Sequence, residues 1–212
     1  MMFCAEQGVE VENVTIDLFS GAHKEAPYLA VNPNGIIPAI DDDGFILTES
    51  SAILKYLADK IDSPTYPKEA RARARVNEIM DWTNTQFYRE IAYHLVYPQV
   101  FPNQARATEE LTQSVVDWGL ERTRPLLETL DHGWHTFPGG SAYLTGDDIT
   151  IADYFTADLL ACGDMIGINW SGTPNVERWL NTMKARPSWA EVHDPINGFI
   201  ASLAGKEFTT IG

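Results

Sequence analysis

Six residues, Asp62-Ser63-Pro64-Thr65-Tyr66-Pro67, divide the chain into two stretches with different hydrophobic periods. Pro64 and Pro67 each lack a backbone N–H and crowd the preceding turn, so a helix cannot run through them. Before this break apolar residues alternate or fall in short runs; after it they recur three and four apart. That change predicts an α/β segment followed by an all-α segment, with one domain over residues 1–62 and another over residues 68–212.

In the first segment Met1 to Gln7 reads as the end of a helix closed by Gly8, with no Ser, Thr, Asp or Asn ahead of it as a cap. The sequence is therefore expected to begin inside an element. Val9, Val11, Val14, Ile16 and Leu18 nearly alternate with polar residues and predict a strand over Glu12 to Asp17. Gly21 to Tyr28 and Val31 to Gly35 read as loop. Ile36 to Asp42 and Phe45 to Thr48 are short apolar runs joined by Asp43-Gly44, a pair suited to positive φ, and predict a hairpin. From Ser50 onward Ala52, Ile53, Tyr56 and Leu57 mark a helix reaching Ile61.

In the second segment Val76, Ile79, Met80, Thr83, Phe87 and Ile91 form one face of a long helix, and Leu111, Val115, Trp118 and Arg122 one face of the next. Arg124-Pro125 predicts a kink or break in that second helix. Thr150-Ile151-Ala152-Asp153 is a capping box, flanked by Ile149 and Tyr154 as a hydrophobic staple, and starts a helix at Ile151. Asn175 to Lys184 and Ser188 to Gly198 predict two further helices, and Gly205 to Gly212 reads as a loose tail.

Asp and Glu number 30 against 15 Lys and Arg, a net charge of −15. That balance opposes a nucleic-acid partner, because binding a polyphosphate depends on Lys and Arg. Cys4 and Cys162 are too few for a disulfide framework and lack zinc spacing. Of the histidines only His132 and His135, beside Gly133 and Trp134, lie close together, so no metal is expected. The first residues carry no basic stretch, and Asp158 and Asp164 interrupt the apolar run from Tyr154 to Ile168, so neither export nor a membrane role is expected. A reducing, cytoplasmic setting fits this cysteine usage.

The residues suited to chemistry cluster near the end of the first segment, in Asn32-Pro33-Asn34-Gly35-Ile36-Ile37-Pro38-Ala39-Ile40 and Thr48-Glu49-Ser50-Ser51-Ala52-Ile53. A proline opening a strand leaves Ile37, beside Pro38, able to pair its backbone with an extended peptide ligand. Glu49-Ser50 opens a helix, whose N-terminal N–H groups and dipole favour a carboxylate, while Glu49 offers an acceptor for an ammonium. Together they suit the α-amino acid end of a ligand. Glu-Ser before a helix is also an ordinary cap.

Taken in order, Asn32 to Ile40, Leu47 to Ile53 and Ile149 to Asp153 resemble motifs of the soluble glutathione S-transferase superfamily, in its bacterial-type, theta-, beta- and nu-like forms. The likeness runs from Phe3 to about Pro195. It implies a thioredoxin-like domain followed by an all-helical domain, a homodimer, and glutathione as co-substrate. Carried over residue by residue, Glu49 and Ser50 would bind the γ-glutamyl end, and Ile37 ahead of a cis Pro38 would pair with the cysteinyl backbone. His23 and Asn34 would serve the glycine carboxylate, although an exposed loop histidine and a turn-forming asparagine explain them equally well. The acceptor pocket would lie between the domains, with Tyr88, Arg89, Tyr93 and His94 as candidates.

Family members open with a strand and a loop carrying Tyr, Ser or Cys that stabilises the glutathione thiolate. Neither precedes Met1, so the first domain reads as truncated at its first strand and no catalytic residue is assigned. Cys4, among Met2, Phe3 and Ala5, reads as buried and unreactive. Ile36 stands where many members carry Lys. The resemblance implies a transferase that joins the glutathione thiolate to a small electrophilic or apolar acceptor. The competing reading is a non-catalytic scaffold that has lost the activating residue.

Overall fold

Asp43 and Gly44 both adopt positive φ, 52° and 89°, and the chain reverses there. In the computed structural model, which describes every residue except Phe19, Gly133 and Trp134, the hairpin joins β1 (Ala39–Asp42) to β2 (Phe45–Thr48). The strands pair antiparallel, with Ala39 opposite Thr48 and Asp42 opposite Phe45. They form the only sheet among the described residues. The strand predicted over Glu12 to Asp17 does not form, and Val14 is 71% exposed there. An apolar alternation becomes a strand only when a neighbour completes its hydrogen-bond ladder, and among the described residues no strand pairs with this stretch.

The short helix α1 (Met2–Gln7) buries Met2, Phe3 and Cys4 and ends at Gly8, whose φ of 67° lets its N–H reach the Cys4 carbonyl. A helical turn, α2 (Ala26–Leu29), precedes the hairpin, and α3 (Ser50–Lys60) follows it, burying Ile53, Leu57 and Ala58. Beyond the proline-containing loop, α4 (Ala70–Trp82) is capped by Glu69, which accepts the N–H groups of Arg71 and Ala72 at 3.0 and 2.7 Å. The helix then widens into two π-helical stretches, Thr83–Phe87 and Arg89–Val96, before α5 (Tyr97–Val100). The face predicted from Val76 to Ile91 is buried throughout.

The next helix, α6 (Glu109–His132), departs from expectation twice. It runs through Pro125 without a break. Pro125 faces solvent, where water can satisfy the carbonyl it displaces, while Thr123, Leu127 and Leu130 bury the helix on either side. Its buried face is also turned from the predicted one: Leu111 and Trp118 are 53% and 54% exposed, and Val116 and Gly119 point inward instead. Gly119 explains the choice, since a Cβ there would lie 2.6 Å from the His94 carbonyl carbon. Only glycine lets α6 approach the 89–96 stretch this closely.

The last helices, α7 (Ile151–Leu160), α8 (Pro174–Lys184) and α9 (Pro187–Ser202), include both pairs of predicted limits and extend them slightly. Helices α1, α3, α4 and α8 all pack on α7, making it the centre of the core. At its start Asp153 accepts from the Thr150 N–H at 2.8 Å, as the capping box predicts, and also from the Thr150 hydroxyl at 3.0 Å. It also accepts from the Leu144 N–H at 2.8 Å and the Trp179 indole at 2.9 Å. The tail, predicted loose, is fastened instead. The Gln99 amide exchanges two hydrogen bonds of 2.9 and 2.8 Å with the Thr209 backbone, and the Asn169 N–H donates to the Ile211 carbonyl at 2.9 Å.

Glu6 joins the two ends of the chain. Its carboxylate accepts from the Arg186 guanidinium at 2.8 Å, from the Tyr154 hydroxyl at 2.6 Å and from the Ser188 hydroxyl. The stretch at Gly133 and Trp134 between His132 and His135 lies outside the described residues. Among those described, no helix is long and apolar enough to cross a membrane.

Candidate functional site

Two of the predicted features meet at the open end of the hairpin. The Ile37–Pro38 bond is cis, and Ile37 is 41% exposed with no backbone hydrogen-bond partner among the described residues. After the hairpin, Glu49 occupies φ 68° and ψ 110° at the head of α3. Such a conformation is costly for a residue with a Cβ and persists where the surroundings over-determine it, most often at ligand sites. The first intrahelical bond of α3 runs from the Ile53 N–H to the Glu49 carbonyl. The N–H groups of Ser50, Ser51 and Ala52 therefore stand at an unpaired helix start, favourable for a carboxylate.

His23 and Asn34 come to the same loop. Gly35, at φ 58°, sits so close that a Cβ would lie 2.7 Å from the His23 carbonyl oxygen. The His23 Nδ1 is buried with no protein partner, and Asn34 is exposed. Sequence reasoning missed the residues that hold this loop: Lys24, Tyr28 and Asn32, whose side chains bond the carbonyls of residues 34, 35 and 36. No local pattern signalled them, because Lys24, Tyr28 and Asn32 belong to three successive pieces of the loop, a 3-10 turn, α2 and the stretch after it.

The four acceptor candidates divide into two groups. Tyr88 and Tyr93 join Tyr97 in an edge-to-face aromatic cluster, with ring centroids 5.2 to 6.2 Å apart, that continues through Phe101 to Phe199 of α9. Burial pushes the phenols of Tyr88 and Tyr97 well above their usual range, so both stay protonated, and their hydroxyls bond each other. Arg89 and His94 instead turn to Glu90, which is 2% exposed. Glu90 accepts from Arg89 at 2.9 and 3.0 Å, pairs with His94 Nδ1 at 2.7 Å, and lies 3.5 Å from Arg122 of α6. Burial alone would raise the Glu90 pKa; the His94 and Arg89 bonds outweigh it and hold the carboxylate below its usual range. Cys4 is buried and its thiol is pushed up by desolvation, which suits a packing residue and not a nucleophile.

An exposed peptide before a cis proline and a helix start headed by an acidic residue at positive φ thus flank the paired ends of the hairpin, Ala39 and Thr48. Known proteins agree with that architecture. Residues 1–59 match the profile of the glutathione S-transferase N-terminal domain and residues 96–187 that of its C-terminal domain. The chain is 30% identical to human glutathione S-transferase theta-2 over 219 residues, covering 99% of this chain and 86% of that protein. Human glutathione S-transferase T1-1, in its apo form, is 26% identical and superposes with a TM-score of 0.78 over 95% of this chain and 89% of its own. A glutathione transferase homologue from Sulfitobacter, solved with glutathione bound, shares the fold at 21% identity and a TM-score of 0.76, covering 92% of this chain and 90% of that one. The chain belongs to the glutathione S-transferase superfamily, with a thioredoxin-like N-terminal domain and a helical C-terminal domain.

Proposed function

We propose that this chain is a cytoplasmic, homodimeric glutathione transferase that joins the thiolate of glutathione to small electrophilic or apolar acceptors, a detoxifying chemistry. The observation that carries the reading is the pairing of an unpartnered Ile37 peptide before cis Pro38 with the Glu49-Ser50 start of α3. Residues 1–62 would bind glutathione and residues 68–212 would shape the acceptor pocket.

In this assignment the Ser50 hydroxyl and the N–H groups of α3 receive the γ-glutamyl carboxylate, and Glu49 accepts its ammonium. The Ile37 N–H and carbonyl pair with the cysteinyl unit as a further strand would. The buried, unpartnered His23 Nδ1 supports a polar contact at the glycine end, which Asn34 flanks. The nucleophile is the sulfur of glutathione, which adds to the acceptor and, where a leaving group is present, displaces it. Tyr88 and Tyr93 supply an aromatic wall for an apolar acceptor, and Arg89 and His94, already engaged by Glu90, set the polar border of that wall.

Calorimetric titration with glutathione, followed by conjugation assays against a panel of electrophiles, tests the proposal. Saturable binding that falls at least about tenfold in Ser50→Ala is the expected result. Absence of glutathione binding to the folded wild-type chain overturns it.

A further inference from the structure

We propose that Asn32 is a positioning residue for glutathione, acting through the Ile36 carbonyl to fix the Ile37 peptide that the ligand pairs with. The inference rests on the glutathione assignment above and adds to it a residue that never touches the ligand.

Asn32 is 3% exposed although it belongs to a polar surface turn. A buried amide is retained only when its hydrogen bonds are made, and here they are. Its Nδ2 donates to the Ile36 carbonyl at 2.6 Å, and its Oδ1 accepts the Asn34 N–H at 3.1 Å. Two neighbours complete the support. The Tyr28 hydroxyl donates to the same Ile36 carbonyl at 2.8 Å, and the Lys24 ammonium donates to the Asn34 and Gly35 carbonyls at 3.2 and 2.8 Å. Lys24 ends the 3-10 turn Ala22–Lys24, Tyr28 lies in α2 and Asn32 follows it, so three successive pieces of this loop grip three consecutive carbonyls.

The consequence falls on Ile37. Every carbonyl from residue 34 to residue 36 is occupied by a side chain, so among the described residues the next carbonyl, that of Ile37 just before cis Pro38, is the first without a partner. A peptide edge without a ladder on either side has nothing else to set its orientation. Asn32 contributes both a donor and an acceptor to that task and is the buried member of the three. Lys24, for its part, directs two of its three N–H donors to the loop backbone.

Steady-state kinetics of Asn32→Ala and Tyr28→Phe in the full chain, with glutathione and one electrophile varied separately, test the inference. Asn32→Ala is expected to raise the glutathione KM roughly tenfold, while kcat at saturating glutathione and the acceptor KM stay within about twofold. Tyr28→Phe removes one of two donors to the Ile36 carbonyl and is expected to raise the same KM by about threefold without altering thermal unfolding. It reports on the loop even where Asn32→Ala folds poorly. An unchanged glutathione KM in folded Tyr28→Phe and Asn32→Ala overturns the inference, and so does an equal loss in glutathione KM, acceptor KM and kcat. A wild-type chain that binds no glutathione shows the site assignment itself to be wrong, an outcome visible before any variant is made.

Discussion

The loop and hairpin between Gly21 and Ser50 and the bundle around α7 are built on opposite principles. In the first, Ile36, Ile37, Phe45 and Ile46 stay exposed and order comes from side chains bonding backbone carbonyls. In the second, seven consecutive residues from Ile151 to Ala157 are buried and order comes from apolar packing around one polar anchor, Asp153. Burying apolar area supplies most of a fold's stability, whereas hydrogen bonds supply direction. The comparison teaches that damage to the bundle should unfold the chain, and damage to the loop should spare folding and cost binding.

The strongest attempt to break that division is Asp153→Ala. Four donors converge on the Asp153 carboxylate, and the truncation leaves a buried indole and two backbone N–H groups without partners. We expect a loss of at least about 3 kcal/mol in urea unfolding, with glutathione affinity of the folded fraction unchanged. A folded variant with weakened glutathione binding would show that the bundle reaches the site directly.

A second variant, Glu6→Gln, acts at the joint between α1 and the bundle. Burial pushes the Glu6 carboxyl up, but hydrogen bonds from Arg186, Ser188 and Tyr154 outweigh it and hold its pKa below the usual 4.5. A carboxylate with a lowered pKa in the folded state contributes its full stability above the unfolded value, and that contribution is lost as pH falls through the folded one. Unfolding midpoints should therefore drop steeply below about pH 4.5 in wild type and less steeply in Glu6→Gln, which is about 2 kcal/mol weaker at pH 7. Matching pH profiles for the two proteins would remove the joint from the account.

Gly35→Ala reverses the emphasis. At φ 58° and with the His23 carbonyl oxygen 2.7 Å from the added Cβ, the loop must move. Because the loop buries little apolar surface, the expected cost is about tenfold in glutathione affinity with a change in unfolding midpoint of no more than roughly 3 °C. A larger loss of stability than of affinity would mean that the loop supports the fold.

The same contrast explains what could be read from the sequence. Features set by neighbours in the chain were legible: the Asp43-Gly44 reversal, the box from Thr150 to Asp153, and the helix start at Glu49-Ser50. Features set across the chain were not. The alternation from Val9 to Leu18 says nothing about whether a partner strand is present, and the face of α6 was decided by the fit of Gly119 against His94. The tail is held by Gln99, 110 positions from Thr209, and Asn32 looked like any turn former because its burial depends on how the loop folds back. The resemblance supplied the roles proposed for Ile37, Glu49 and Ser50, but it could not reveal that Arg89 and His94 are drawn to Glu90.

The smallest expected effect sharpens the comparison from the side of gain. Ile36 is 55% exposed on the loop beside the Ile37 peptide, and its side chain has nothing to pack against that a lysine stem could not cover. Ile36→Lys should therefore leave unfolding unchanged. The chain carries a net charge of −15, which disfavours an anionic ligand such as glutathione, and a cation at this position acts against that field at short range. Screening at an exposed position limits the gain to about twofold to threefold in glutathione affinity, fading as ionic strength rises. Titrations at low and high salt separate the outcomes. A salt-sensitive gain shows that residue 36 faces the ligand's carboxylate end, whereas an unchanged affinity at low salt means that the side chain points away from it and that the glycine end depends on His23 instead.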